Sequence, residues 1–276
     1  MSSSPEEQYL NKFFSETDTP AEGQYFRLPD AEAVLYLQRR PGKDSENEDS
    51  AGIYALRDGD TVLAIADGMG GMPAGSKASG IIVKQLSRVL SKSSRNSSEH
   101  REDILTGLEA ANDEIQAMGV GAGSTVAVVE VSNNLLRSYH AGDSEILLVG
   151  QRGKVKLQTI SHSPVGYGVE SGLIDHKDAM YHNERHLISN FLGLPDMRIE
   201  MGPAVEIARY DTLLLASDGV FDNVHVDELV DLVRKGGLAQ VSKALIQLVS
   251  ERMGSDSDAT PSKPDDVGFF LYRRSA

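Results

Sequence analysis

The sequence predicts an α+β domain in which antiparallel strands form a sandwich and helices pack on its outside. Short apolar runs of strand length are joined by tight turns, and two pairs of helical segments each carry an apolar face. Strands joined by short turns pair antiparallel, and an amphipathic helix buries its apolar face against another layer. The 276 residues contain no internal repeat or linker, so one domain with a substantial core is expected.

The first half of the chain is interpreted as a tail, three strands and two helices. Residues 1–27 are polar and predict a loose N-terminal tail or a peripheral segment, which leaves residues 28–276 as the folded domain. Strands are predicted over residues 33–39, 53–56 and 61–66, the last two as a hairpin around Asp58-Gly59-Asp60. Helices are predicted over residues 76–90 and 104–118, because apolar residues recur there at helical spacing.

The second half adds six strands and two helices. Strands are predicted over residues 124–131, 135–143, 145–149, 155–159, 211–216 and 267–272, and helices over 226–234 and 238–252. Asn133-Asn134 marks a turn between the first two of these strands. Residues 161–185 are irregular, His-rich and too long for an ordinary connection, which indicates a functional flap. Asp222 is interpreted as the cap of the helix that follows it.

Composition narrows the class of function. A formal net charge of −14 argues against a general nucleic-acid binder, because phosphate backbones would be repelled. The chain has no cysteine, which excludes disulfides, Cys-based zinc sites and thiol nucleophiles and fits a reducing compartment. No apolar run reaches membrane-spanning length, and the first residues lack the pattern of a signal peptide. A cytoplasmic protein without membrane partners is expected.

Carboxylates stand at the ends of predicted strands or in the loops beside them. They are Glu48, Asp49, Asp67, Asp143, Asp218 and Asp265. If these ends meet, like charges raise one another's pKa and divalent cations would relieve the repulsion. Oxygen ligands select hard ions such as Mg²⁺ or Mn²⁺, which can activate water for attack on a phosphoryl group. An aspartate taken alone is more often a helix cap or a surface turn than a metal ligand, and periodicity does not show that these residues converge.

Six motifs stand in the order of one enzyme family. They are Asn47-Glu48-Asp49, Asp67-Gly68-Met69-Gly70-Gly71, Gly123-Ser124-Thr125, Ala141-Gly142-Asp143-Ser144, Leu215-Ala216-Ser217-Asp218-Gly219-Val220-Phe221-Asp222 and Asp265-Asp266. With this set the chain resembles the metal-dependent Ser/Thr protein phosphatases of type 2C from about Val34 to Tyr272. The resemblance implies a four-layer α-β-β-α sandwich with helices on both outer faces and a binuclear Mn²⁺ or Mg²⁺ centre between two antiparallel sheets. Met69, where eukaryotic members usually carry His, is similar to the bacterial branch.

The resemblance also implies a role for each matched residue. The implied metal ligands are Glu48, Asp67, Gly68, Asp143, Asp218 and Asp265. Asp67 would bridge the two ions and the Gly68 carbonyl would join one of them. Asp218 and Asp265 would hold the other ion, with Glu48 acting directly or through water, while Asp143 with Asp218 matches a third, weaker site. Asp49, Asp67 and Asp218 are the expected catalytic residues, and Asp49 would orient waters beside the ions.

Several positions depart from the family pattern. Asp44 stands where the family usually has the Arg that binds the substrate phosphate. Lys43, Arg39 or Arg40 could contact the phosphate instead, and Lys43 is our expected substrate-binding residue. Lys supplies a point charge but lacks the bidentate fork of Arg, and a surface lysine is the competing interpretation. Glu145, Ser161 and Asp266 stand where Arg, Asp and Asn are usual.

The leading functional hypothesis is a phosphatase that removes phosphate from phosphoserine or phosphothreonine in proteins, working against an opposing Ser/Thr kinase in signalling. A monomer is expected. The replacement at Asp44 motivates an alternative, a weakly active or inactive phosphatase-fold module that binds a phosphoprotein or regulatory partner. A hydrolase of small phosphate esters or nucleotides would share the same centre and differ in the flap.

Overall fold

A computed structural model describes residues 10–56, 59–69, 74–92, 97–255 and 260–275, with the side chains of 97–99 left out. The strands are β1 Leu10–Phe14, β2 Gln24–Leu28, β3 Ala31–Gln38, β4 Asp49–Ala55, β5 Thr61–Asp67, β6 Val126–Ser132, β7 Leu135–Ala141, β8 Glu145–Val149, β9 Val155–Gln158, β10 Glu200–Met201, β11 Val205–Glu206, β12 Thr212–Ala216 and β13 Val267–Arg274. The helices are α1 Gly75–Leu90, α2 Ser97–Ala117, α3 Pro164–Glu170, α4 His176–Ala179, α5 Asp218–Phe221, α6 Val226–Val233 and α7 Leu238–Met253.

The strands form two antiparallel sheets that pack face to face. Sheet one has the order β1-β4-β5-β6-β7-β10, with β11 also pairing with β7, and sheet two has the order β2-β3-β13-β12-β8-β9. Apolar side chains from the inner faces of both sheets, such as Leu35, Ile65 and Phe270, form the central core. The predicted sandwich of antiparallel sheets is confirmed.

Helices cover both outer faces, which confirms the expected four layers. On sheet one, α1 and α2 bury an apolar stripe that includes Ile82, Leu86 and Ile104. On sheet two, α6 and α7 do the same with residues such as Leu229 and Leu245. Strands β4 and β5 are therefore buried on both sides, which explains the near-continuous apolar sequence of β5. Among the helices of the described ranges, none combines the length and apolar character needed to cross a bilayer.

Local predictions were confirmed where the sequence pattern was strong. The β4–β5 hairpin forms, although Asp58 in its turn lies outside the described residues. Asn133 and Asn134 both adopt positive φ, the conformation that a two-residue type I′ turn between β6 and β7 requires. The residues predicted as one run of four strands divide between the sheets, because β6 and β7 belong to sheet one and β8 and β9 to sheet two.

The prediction of a polar tail over residues 1–27 was wrong for two segments. Strand β1 pairs with β4 at the edge of sheet one, and β2 pairs with β3 at the edge of sheet two. Both are half-exposed edge strands, so their polar residues face solvent and mask the strand pattern. The prediction of an irregular flap was also wrong over α3 and α4, two short helices within residues 161–185.

Candidate metal centre

Five strand ends meet at one end of the sandwich. Asp49 begins β4 and is the register partner of Asp67, which ends β5. In sheet two, the end of β12 lies beside the beginnings of β8 and β13. Asp218 comes just after β12, whereas Asp143 and Asp265 come just before β8 and β13, so all three lie at the same end of the sheet. Antiparallel pairing therefore gathers carboxylates that are more than 200 residues apart in the chain.

Asp49 connects the two sheets at this end. Its side chain is 1% exposed, and its Oδ2 accepts a hydrogen bond of 2.7 Å from the Ser217 hydroxyl of sheet two. Gly268 permits this approach, because a Cβ at that position would lie 2.8 Å from Asp49 Oδ2. Asp49 begins a strand of sheet one and is held against sheet two by Ser217, as expected for a residue that orients groups between the sheets.

The carboxylates perturb one another's ionisation. Burial raises the pKa of Asp67 well above its ordinary value, and nearby Asp49, Asp218, Asp265 and Asp143 raise it further. Burial and neighbouring carboxylates also raise the pKa of Asp49 and of Asp143. For Asp265 burial, followed by the charge of Asp218, raises the pKa to about 6. These acids therefore share one pocket in which each resists the ionisation of the others.

Unsatisfied oxygens show that the pocket fits a hard cation. Within the described ranges, the Oδ1 atoms of Asp49, Asp143 and Asp218 are buried and have no hydrogen-bond partner. A buried carboxylate oxygen without a donor costs free energy unless a cation contacts it. Oxygen donors without cysteine or histidine match Mg²⁺ or Mn²⁺ rather than Zn²⁺.

Gly68 lies at a close backbone crossing beside these acids. Its N–H donates to the Glu48 carbonyl at 3.0 Å, and a Cβ on Gly68 would lie 2.2 Å from the Gly75 carbonyl oxygen. No residue with a side chain fits there without moving the start of α1. Of the predicted glycine motif, Gly70 and Gly71 lie outside the described residues.

Lys43 binds two acids at the rim of the pocket. Its Nζ lies 2.6 Å from Glu48 Oε2 and 2.6 Å from Asp266 Oδ2, and its side chain is 8% exposed. Asp266 also accepts hydrogen bonds from the backbone N–H groups of Glu48 and Arg40. The competing interpretation of Lys43 as a free surface lysine is therefore wrong, because burial between two carboxylates fixes its ammonium beside Glu48.

Lys263 is a second cation in the pocket, and the sequence did not identify it. Its ammonium contacts Asp218, lies 2.8 Å from Asp222 Oδ2 and lies 3.3 Å from Asp265 Oδ2. Burial acts to lower the pKa of Lys263, but the adjacent carboxylates outweigh it and raise the pKa overall. The only sequence signal was its position two residues before Asp265.

The prediction that Asp222 caps the following helix was wrong. The N-cap of α6 is His225, and Asp222 instead ends α5 and pairs with Lys263. The short helix α5 was missed because one turn carries no periodicity. Asp222 thereby joins the acidic pocket as a further carboxylate.

A cavity of about 490 Å³ opens beside the carboxylates. Asp143, Asp218 and Asp222 line it together with flap residues such as Val165, Met180 and Arg185. Arg185 donates a hydrogen bond to the Met180 carbonyl, which holds its side chain along the flap. The predicted flap region thus forms one wall of the space in front of the acidic pocket.

A separate group of His140, His162 and Glu200 has ligand atoms within 4.8 Å of one another. The His162 Nδ1 accepts from the Asn190 amide at 2.8 Å and from the Gly142 N–H at 3.2 Å. In the neutral ring the proton is therefore on Nε2, which donates to Glu200 Oε2 at 3.1 Å. That nitrogen has no lone pair for a metal, so this group is a hydrogen-bonded support for the flap.

Comparison with known proteins gives consistent matches. The family model described as protein phosphatase 2C matches residues 39–254. The protein phosphatase PhpP of Streptococcus pneumoniae is 30% identical over 224 residues, covering 78% of this chain and 90% of that protein. The solved Mycobacterium tuberculosis serine/threonine phosphatase PstP/Ppp has a TM-score of 0.73 and 26% identity, covering 90% of this chain and 100% of that one. A PstP catalytic domain in complex with two manganese ions shares the fold, with a TM-score of 0.70, 24% identity and coverage of 90% and 99%.

Proposed function

The chain belongs to the protein phosphatase 2C family, and from this premise we propose that it hydrolyses phosphoserine and phosphothreonine in proteins. The family is one of metal-dependent Ser/Thr phosphatases, and the proposal assigns that activity to the acidic pocket between the two sheets. The single observation that carries the assignment is the convergence of buried, unpartnered oxygens from Asp49, Asp143 and Asp218. Nothing in the described residues or in the comparisons favours the alternative of a module that only binds phosphoproteins.

We propose the following division of roles among the pocket residues. Asp67 would contact both of two Mn²⁺ or Mg²⁺ ions, with the Gly68 carbonyl on one of them. Asp218 and Asp265 would hold the other ion, with Glu48 beside it. When bound, such ions neutralise phosphate charge and lower the pKa of a water toward neutrality. Asp49, fixed by Ser217, would orient that water against the phosphorus.

Lys43 remains our proposed contact for the substrate phosphate. An ammonium has three N–H donors, and Glu48 and Asp266 occupy two of them. The third is left for a phosphate oxygen at the rim of the pocket. Arg39 is engaged by Asp18, so it is a poorer candidate. Met69 carries no exchangeable proton, so water rather than a side chain at this turn would protonate the leaving serine or threonine oxygen.

We propose that the catalytic domain includes β1 and β2 in addition to residues 28–276, since both strands pair within the sheets. The activity would reverse the action of a Ser/Thr kinase, whose phosphorylated products are the substrates. We assign the protein to the cytoplasm and to a monomeric state, which suits access to diverse phosphoproteins.

Phosphate release from phosphoserine and phosphothreonine peptides tests the proposal. The wild-type protein is expected to require Mn²⁺ or Mg²⁺, and Asp67→Asn to lose at least about a thousandfold in kcat/KM, an effect of about 4 kcal/mol. Asp211→Asn is a matched control, because Asp211 lies at the other end of β12, paired with Lys156. Full activity in excess chelator would refute the metal-dependent mechanism, and faster turnover of nucleotides than of phosphopeptides would refute the protein substrate.

A further inference from the structure

Lys263 directs a positive charge at the outer side of the acidic pocket. Its ammonium contacts one Oδ2 atom on each of Asp218, Asp222 and Asp265, the last two at 2.8 and 3.3 Å. The Oδ1 atoms of Asp218 and Asp143 remain buried without a hydrogen-bond partner among the described residues. The lysine therefore neutralises one side of the pocket and leaves Asp218 Oδ1 free.

The backbone of Lys263 is anchored, so this contact is built in. The fully buried Asn223 donates to the Lys263 carbonyl at 2.9 Å and accepts from the Lys263 N–H at 2.8 Å. The same Asn223 amide also donates to the Gly219 carbonyl in α5. Because α5 carries Asp218, this bridge fixes the lysine relative to the carboxylate it contacts.

A fixed ammonium and a divalent ion compete for the same oxygens. Two cations a few ångström apart repel by several kcal/mol at the effective dielectric of a partly buried site. A divalent ion such as Mg²⁺ also needs direct contact with oxygen ligands, at about 2.0–2.1 Å. The ammonium already contacts Asp222 Oδ2 and Asp218 Oδ2, and both residues line the same cavity as Asp143.

We propose that Lys263 is a resident cation that takes the place of a third divalent ion, so that the centre binds two ions. The resemblance to the family implied a third, weaker site on Asp143 and Asp218, and the Lys263 ammonium contacts Asp218, one of these two residues. This inference rests on the proposed metal centre. It makes Lys263 a residue that sets how many metal ions the centre binds.

Manganese titration of the metal-free full chain tests the proposal, with isothermal titration calorimetry and native mass spectrometry as readouts. The wild type is expected to bind two Mn²⁺, and Lys263→Met, which keeps the length of the side chain without its charge, to bind three. Lys263→Arg keeps the charge and should bind two. Lys156→Met is the matched control, because it also removes an aspartate-paired lysine, here from Asp211 at the far end of β12.

The outcomes separate this inference from the proposed function. Three ions in the wild type, or two in a folded Lys263→Met, would overturn the role of Lys263 and leave the phosphatase centre intact. No bound Mn²⁺ in the wild type would overturn the metal centre itself. If Lys263→Met does not fold without metal, Lys263→Gln refolded in Mn²⁺ and counted by native mass spectrometry supplies the same test.

Discussion

Removing one carboxylate of the acidic pocket should stabilise the metal-free protein, the opposite of the usual effect of a substitution at a buried acid. Asp265→Asn is the clearest case. Burial and the charge of Asp218 raise the pKa of Asp265 from 3.8 to about 6 even though Lys263 lies nearby. The fold therefore favours the neutral form of this side chain, which Asn mimics.

The magnitude follows from this pKa. A rise of about two units corresponds to about 3 kcal/mol for holding Asp265 ionised in the fold at pH 8. The side chain is 39% exposed, so solvent screening reduces the expected gain for Asp265→Asn to about 1 kcal/mol. Because the folded pKa lies above the unfolded one, stability is lost as pH rises from about 4 through 6. The advantage of the variant should therefore be absent below pH 4 and complete above about pH 7.

Urea unfolding at pH 8 in chelator and in saturating Mn²⁺ measures the effect. In chelator, Asp265→Asn should unfold at a higher urea concentration than the wild type. In Mn²⁺ at about 100 times its dissociation constant, the wild type should gain about 2.7 kcal/mol per bound ion, and the variant should gain less because it lacks a ligand. The order of stability should therefore reverse.

Asp211→Asn is the control for a buried aspartate that is satisfied. Asp211 accepts from Lys156 at 2.5 Å and from the Ala208 N–H at 2.7 Å, so its replacement should destabilise by about 1–3 kcal/mol with or without metal. A loss of stability for Asp265→Asn in chelator, or an unchanged response to Mn²⁺, would refute the view that repulsion among these acids is what bound ions relieve.

Three other changes test separate parts of the account. Lys43→Met should raise the KM for a phosphopeptide about tenfold, because one charge-assisted contact with the phosphate is lost. An unchanged KM in steady-state kinetics would show that Lys43 does not bind the substrate. Burial raises the pKa of Glu145 to about 7, so the free energy of unfolding should fall by about 1 kcal/mol from pH 6 to pH 8. In Glu145→Gln, urea unfolding should show a smaller fall over this pH range, and an equal fall in the variant would contradict this assignment. Gly68→Ala should destabilise the protein by more than about 2 kcal/mol, because the new Cβ would lie 2.2 Å from the Gly75 carbonyl oxygen. Gly237→Ala is the control and should be tolerated, because no atom lies within 4 Å of its Cβ. Equal thermal unfolding temperatures for the two variants would show that the backbone crossing at Gly68 is not tight.

The parts of the fold that the sequence predicted have strong periodic or turn signals. The β5 strand is a continuous apolar run ending in Asp67, and α1 has apolar residues at helical spacing. Strands β1 and β2 were missed because half-exposed edge strands keep polar side chains, and α5 was missed because a single turn has no period. Sequence pattern alone did not assign β7 and β8 to different sheets, since a short connection usually joins paired strands.

The candidate site was predicted from ordered motifs rather than from geometry. The gathering of Asp49, Asp67 and Asp218 depends on pairing between distant strands, which no local pattern specifies. The cations were harder to place, because the reach of a lysine depends on where its backbone is anchored. Lys263 is directed by its two hydrogen bonds with Asn223, forty residues earlier in the chain.

Anomalous diffraction from crystals grown with Mn²⁺ would show whether the acidic pocket holds two ions. Two adjacent manganese peaks are expected that share Asp67 as a ligand, with Asp218 and Asp265 on one of them. Manganese bound at His140, His162 and Glu200, or an acidic pocket with no peak at saturating Mn²⁺, would contradict this expectation.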